Sequence, residues 1–399
     1  MLNLEQIKKA AIVLNGNIRK TDLIFAPNIV ANNNIFLKCE NLQTTGAFKL
    51  RGAFYKISQL TDSQKERGVI ACSAGNHAQG VALSAQKNNI KSIIFIPSTA
   101  PISKIEATRS YGAEIRLIDG AYDDAYEAAI KYYEETGATF VHPFDDEMVI
   151  AGQGTIGLEL FEQLPNMDAV VVPVGGGGLI AGIAACVKSI NPKCKVYGVQ
   201  AEDAASMVNS FRAHKLTSLE KVYTVADGIA VKTPGNITFE LCEKYVDEMF
   251  TVSEDEIAAA ILRLIEQQKL ITEGAGAVAV AAVLFNKIPI QDKNVVCVVS
   301  GGNIDVNILS KVINRGLLTS GRLSDLTIEL LDKPGQLKDV ATIIADLGAN
   351  VVRVRHNHGG KNTDINGCYL RVSMETKNHE HLREIKSTLE AKGYKIIQG

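Results

Sequence analysis

Residues 170–190 read VVVPVGGGGLIAGIAACVKSI: an apolar run, four glycines, then a long run with helical periodicity. A short, near-continuously apolar strand is one buried on both faces, as in a parallel sheet covered by helices. The glycines Gly175, Gly176, Gly177 and Gly178 stand where the strand gives way to the helix. A tight turn there needs one or two glycines. Four let several backbone N–H groups converge on an anion at the helix N-terminus, a phosphate cup at the carboxyl edge of a sheet. The run lacks both G-x-G-x-x-G spacing and the G-K-[ST] ending, which weakens a dinucleotide or ATP reading.

The same grammar recurs on either side. VIACSA from Val69, SIIFIP from Ser92, EIRLID from Glu114, TFVHPF from Thr139, VYGVQA from Val196 and NVVCVVS from Asn294 read as further strands, with Ile35–Leu37 as a short one. Helical stretches such as DDAYEAAIKYYEE and SEDEIAAAILRLIEQQ lie between them. An α/β fold with parallel sheets is expected over residues 1–320. After VNILSKVINRGL, the polar LTSGRLSD carries a linker at 321–325. Residues 326–399 then read strand, helix, strand, glycine turn, strand, helix, strand, the βαββαβ order of a ferredoxin-like domain.

Bulk properties narrow the function. The chain has 399 residues, 46% hydrophobic and 22% charged, with a formal net charge of −2. It is globular and gives no electrostatic case for nucleic acid or anionic membrane. No stretch approaches an uninterrupted membrane span, and MLNLEQIKKAAIVL lacks the basic-then-apolar pattern of a secretion signal. Seven cysteines are scattered, and none forms a C-x-x-C pair, so structural zinc and a disulfide framework are not expected. A cytoplasmic protein is expected.

Three further motifs carry chemistry. In TGAFKLRGA, residues 45–53, Lys49 sits among small and apolar residues at the start of a helix marked by Leu50, Ala53, Phe54, Ile57 and Leu60. The positive end of the helix dipole and poor solvation both favour the neutral amine, which is a nucleophile for carbonyl carbon and a base. SAGNHAQG, residues 73–80, follows a strand and opens a helix, offering backbone N–H groups and the Asn76 amide to a carboxylate or phenolate oxygen. His77 invites an acid–base role, though a histidine at a helix start is more often a structural hydrogen-bonder. SGGN, residues 300–303, ends a strand on a neutral hydroxyl. An amine, an oxyanion turn, a phosphate cup and a hydroxyl together match pyridoxal 5'-phosphate, whose aldehyde, phosphate, phenolate and ring nitrogen each need one of them.

TGAFKLRGA, SAGNHAQG, VGGGGL and SGGN, in this order and spacing, resemble the fold-type II pyridoxal-phosphate enzymes, specifically the threonine dehydratase (threonine ammonia-lyase) group. The likeness runs to about residue 320, and DKPGQL in the tail resembles an ACT regulatory domain, pointing to the single-ACT form. The resemblance implies a tryptophan synthase β-like catalytic part, with a small subdomain at roughly 48–150 inserted in the large one, and a homo-oligomer, dimer or tetramer. It implies that Lys49 bonds the cofactor aldehyde, Phe48 packs near its ring, Asn76 meets the phenolate, Gly175 to Leu179 hold the phosphate and Ser300 meets the ring nitrogen. Ser73, Ala74, Gly75, Asn76 and His77 would bind the substrate carboxylate. Gly228 in ADGIAV would line the pocket, and Glu273 in EGAGA would lie near the cofactor, although Gly274 replaces the family's usual proline.

The implied reaction is Schiff-base β-elimination on L-threonine, with L-serine as a second substrate, giving 2-oxobutanoate and ammonia as the first step toward isoleucine. Leu50-Arg51 stands where β-substituting and threonine synthase relatives carry Asp-Arg, and Ala74 where serine racemase relatives carry a second serine. The alternatives are a serine dehydratase, a serine racemase-like enzyme, and a catalytically silent amino-acid sensor. The resemblance also aligns VQAEDAAS with the metal loop of serine racemase, where carboxylates stand at the positions of Gln200 and Ser206. Neutral ligands there, with Ala204 nearby, suit a monovalent cation, K⁺ or NH₄⁺, better than a divalent one. For the tail the resemblance places an effector such as isoleucine or valine at Asp332 to Leu337, with Gly335 and Gln336 offering N–H groups and Asn350 assisting.

Overall fold

The computed structural model describes residues 2–358 and 366–398, and the chain divides into two compact units, residues 1–308 and 309–399. In the first unit the strands are β1 (Leu23–Phe25), β2 (Asn34–Cys39), β3 (Val69–Cys72), β4 (Ser92–Pro97), β5 (Glu114–Ile118), β6 (Thr139–Phe140), β7 (Ala169–Pro173), β8 (Lys195–Ala201), β9 (Glu248–Val252) and β10 (Asn294–Val299). They form a six-stranded sheet of order β1-β2-β10-β7-β8-β9 and a four-stranded sheet of order β5-β4-β3-β6. Every pairing is parallel except β1 with β2. β3, β4 and β7 are buried throughout, as their unbroken apolar runs require when helices cover both faces.

Two strands, β1 and β9, lie outside the sequence expectation. Both are edges of the large sheet, where one free side permits mixed sequence such as EMFTV. TFVHPF is strand only over Thr139–Phe140, and Pro143, with no N–H to give a ladder, lies in the loop that follows.

The helix Lys49–Ser58 crosses the helix Glu147–Gln163 at glycines: a Cβ on Gly152 would lie 2.6 Å from the Cα of Gly52. This close approach fixes the lysine-bearing helix. A buried ion network locks the same contact. Arg51, fully buried, gives Nε to Glu40 Oε2 at 2.8 Å, Nη2 to Glu40 Oε1 at 2.7 Å and Nη1 to Glu159 Oε1 at 2.6 Å. Lys38 adds bonds to Glu159 at 2.6 Å and to the Thr21 carbonyl at 2.7 Å.

In the second unit, β11 (Leu323–Leu331), β12 (Asn350–His358), β13 (Gly367–Glu375) and β14 (Lys395–Gln398) alternate with the helices Gln336–Asp346 and His379–Ala391 in βαββαβ order. The sheet order is β12-β13-β11-β14, all antiparallel. The expected 321–325 linker is in part strand, since β11 opens at Leu323 and Leu323 pairs with Glu375. Ladder bonding there outweighs the polar composition. The glycine turn expected near 359–366 lies mostly outside the described residues. Among the described residues no helix is long and apolar enough to cross a membrane.

Candidate active site

Three strand ends converge. β3 runs into Ser73, β7 into the tetraglycine and β10 into Ser300, so the loops gather at carboxyl edges of parallel strands, where α/β sheets bind ligands. They border a cavity of about 970 Å³. Phe48, Lys49, Ser73 to His77, Gly175 to Leu179, Gly228, Glu273 and Ser300, drawn from six separate stretches of sequence, all line it.

Lys49 is the first residue of its helix, with Phe48 as N-cap, and its Nζ donates to the Pro143 carbonyl at 2.7 Å. Burial pulls its pKa down to about 8, against the opposing pull of Glu273. About a tenth of the amine is therefore neutral at pH 7, and about half at pH 8, in the form that attacks a carbonyl carbon. The cation also lies 5.3 Å from the centre of the Phe48 ring.

The glycine cup opens the helix Gly178–Ile190, whose first amides have no acceptor within the helix. Gly177 adopts φ +99°, and a Cβ there would lie 2.5 Å from Met207 Cε and 2.8 Å from Thr238 Cβ. Only glycine permits this turn, because the left-handed backbone and the packed wall behind it both exclude a side chain. A second helix, Asn76–Lys87, starts at Gly75 and aims its amides at the same cavity. The Asn76 amide donates to Glu273 Oε1 at 2.7 Å and accepts from Asn303 Nδ2 at 2.8 Å, which leaves one N–H for a ligand. Burial, then the charge of Asp227, pushes Glu273 up to about 7, so it carries a proton about half the time at neutral pH.

His77 is no acid–base group at neutral pH. It is buried, its Nε2 bonds the Val141 carbonyl at 2.7 Å, and burial followed by Lys49 pulls its pKa down to about 3. Ser300 is buried and its carbonyl accepts from the Phe48 amide at 3.1 Å. Pro143, Asn303 and the Lys104–Asp227 ion pair escaped the sequence reading. Asn303 ends the SGGN motif and was within reach; the others are joined only by folding.

Gln200, Ala204 and Ser206 are buried and do not line this cavity. Gln200 Oε1 accepts from the Val208 amide at 2.8 Å and Ser206 Oγ donates to the Val231 carbonyl at 2.7 Å. In the second unit Gly335, at φ +97°, caps the helix that starts at Gln336, and Leu337 is exposed. Asn350 is elsewhere. The register aligns Asn350 and Leu323 with Glu375 at one end of the sheet, whereas Leu331, just before Asp332, pairs with Gly367 at the other. Eight residues of strand separate the two ends, roughly 25 Å.

The donor set fits pyridoxal phosphate. A half-buried amine of lowered pKa suits the aldehyde, a glycine-lined helix start with no room for side chains suits a phosphate, and a carboxyl–amide pair suits the polar rim of an aromatic ring.

Comparison with known proteins agrees with this donor set. The family described as "Pyridoxal-phosphate dependent enzyme" matches residues 14–301. The L-threonine ammonia-lyase of Thermotoga maritima is 51% identical over 398 residues, covering 99% of both chains. The structure of the processed form of threonine deaminase isoform 2 from Solanum lycopersicum superposes with a TM-score of 0.75 at 39% identity, covering 79% of this chain and 87% of that one. Maize serine racemase gives 0.74 at 34% identity, covering 79% of this chain and 98% of that one.

Proposed function

The chain belongs to the pyridoxal-phosphate dependent enzyme family, and we propose that it is a threonine ammonia-lyase of the single-ACT form. It converts L-threonine to 2-oxobutanoate and ammonia by β-elimination. The observation that carries this reading is the convergence of Lys49, the Gly175–Leu179 cup, Asn76 and Ser300 on one cavity, in a chain similar over its length to an L-threonine ammonia-lyase.

Pyridoxal phosphate, when bound, supplies an aldehyde that captures the amino group and a ring that takes up the electron pair left at Cα. Gly175 to Leu179 would hold its phosphate, Asn76 its phenolate oxygen and Ser300 its ring nitrogen. Lys49 Nζ receives the Cα proton, a task open to an amine of lowered pKa. Ser73 to His77 bind the substrate carboxylate through the amides of the helix start, which orients the Cα–H bond toward Lys49. The substrate loses the Cα proton and the Cβ hydroxyl, together one water. The released enamine becomes an imine, and water returns on its hydrolysis to the keto acid and ammonia.

Ala74 lines the cavity with a methyl group that cannot donate a proton, which favours elimination over racemization. The test is keto-acid and D-serine formation from L-threonine and L-serine. Turnover of threonine to 2-oxobutanoate supports the reading, and D-serine as the main product overturns it.

The C-terminal unit is assigned as an ACT domain that binds isoleucine or valine at Asp332 to Leu337. Its βαββαβ order and the glycine-capped helix support this. Asn350, at the far end of its own sheet, would serve a neighbouring copy's site in a homo-oligomer, dimer or tetramer. A monovalent cation is assigned near Gln200, Ala204 and Ser206, where the ligands are neutral. The enzyme acts in the cytoplasm at the start of isoleucine synthesis.

A further inference from the structure

One cluster of metal-ligating side chains lies in the second unit and takes no part in the elimination reaction, although it includes Asp332, the first residue of the assigned effector loop. Asp332 follows β11, His356 lies on β12 and Cys368 on β13. One ligand atom from each falls within 4.8 Å of the other two. Cys368 is fully buried, and His356 Nε2 lies 3.0 Å from its sulfur. The backbone holds the third member in place, since the Asp332 amide donates to the Asn366 carbonyl at 2.8 Å. The register explains the gathering: Cys368 pairs with Leu330 on one side, and His356 pairs with Leu370, two residues along β13 and on the same face.

We propose that Cys368 Sγ, the His356 ring and the Asp332 carboxylate form a binding site for a divalent transition-metal ion of the zinc class. Thiolate, imidazole and carboxylate together select borderline-soft metals over Mg²⁺ or Ca²⁺, which take oxygen ligands. Tetrahedral zinc has Zn–S near 2.3 Å and Zn–N near 2.0 Å, which sets sulfur and nitrogen roughly 3.5 Å apart. The 3.0 Å contact needs to open by only about half an ångström to admit an ion.

Burial, then the charge of Asp332, holds the Cys368 thiol above its ordinary pKa, so binding must displace its proton to solvent. Thiolate and carboxylate then balance the charge of the ion, with neutral imidazole as third ligand. Three protein ligands leave a fourth tetrahedral position for water or for an incoming amine or carboxylate. The ion would join the end of β11 to the β12–β13 pair, directly before the Lys333–Gly335 turn.

The test is Co²⁺ titration of the full-length, cofactor-loaded protein, read by visible ligand-field bands and by calorimetry with Zn²⁺. One equivalent should bind with the bands of a tetrahedral thiolate site. His356→Gln and Asp332→Asn, at exposed positions, should each weaken binding at least tenfold, and Cys368→Ser should abolish the bands. The six other cysteines are buried and belong to no three-ligand group among the described residues, so they serve as the internal control. Absence of cobalt bands in the parent protein overturns the site, leaving a histidine–thiol hydrogen bond. Wild-type affinity in either exposed variant overturns the three-ligand assignment. Neither readout depends on deaminase activity, so this site and the proposed reaction fail separately.

Discussion

Lys49 and Glu273 share one cavity and have opposite tendencies, both caused by loss of water: the amine sheds its proton early and the carboxyl keeps its proton late. Lys49→Ala removes the group assigned both to bond the cofactor and to move the Cα proton. We expect no aldehyde-linked absorbance and a fall in turnover of at least a thousandfold, measured by 2-oxobutanoate formation. Glu273 gives a signed pH effect. Its folded pKa of about 7 lies above the ordinary value near 4.3, so between these limits the folded protein binds more protons than the unfolded chain. Stability of the cofactor-free protein should therefore fall as pH rises from about 4.3 through 7, and level off above. In Glu273→Gln, which keeps an oxygen for the Asn76 amide, that part of the slope should vanish in denaturant titrations. An unchanged slope removes Glu273 as its source.

At the scale of elements, the lysine helix is held where helices approach closely and where charges are buried together. Glu40 and Arg51 are both fully buried and joined by two hydrogen bonds, with Glu159 completing the charge balance. Removing one charge from such a network leaves its partner uncompensated, at a cost of about 3–5 kcal/mol. Glu40→Gln should lower the unfolding free energy of the catalytic unit by that order, read from denaturant midpoints. Because Arg51 lies two residues from Lys49, cofactor retention should weaken with it. A loss below about 1 kcal/mol would mean that Glu159 alone satisfies the guanidinium.

At the scale of the molecule, the two compact units invite separation. Maize serine racemase matches 79% of this chain with 98% of its own length, so the fold of the catalytic unit occurs in a protein with little beyond it. A chain ending at Ser320, before β11 opens, should keep threonine deamination and lose any response to isoleucine or valine. The full chain should show a several-fold shift in apparent substrate affinity, corresponding to about 1–3 kcal/mol of coupling. Equal responses in the two chains would place the effector site in the catalytic unit.

The sequence alone determined the α/β class, because buried parallel strands must be written as unbroken apolar runs, and β3, β4 and β7 are. It also marked Lys49 and the tetraglycine, since an amine at a helix start and four consecutive glycines are local chemical statements needing no distant partner. Edge strands β1 and β9 were not legible, because a half-exposed edge imposes little pattern on its residues. Long-range contacts decided the rest. Pro143 meets Lys49 across 94 residues, Asn76 meets Glu273 across 197 and Asn303 across 227, and Cys368 gains His356 only when β12 and β13 pair. The register of the C-terminal sheet likewise sets Asn350 far from Asp332, although both lie in one short domain. Hydrogen bonds and desolvation act through space, so the partners that tune Lys49, Glu273 and His77 exist only once the sheets have brought their loops to a common edge.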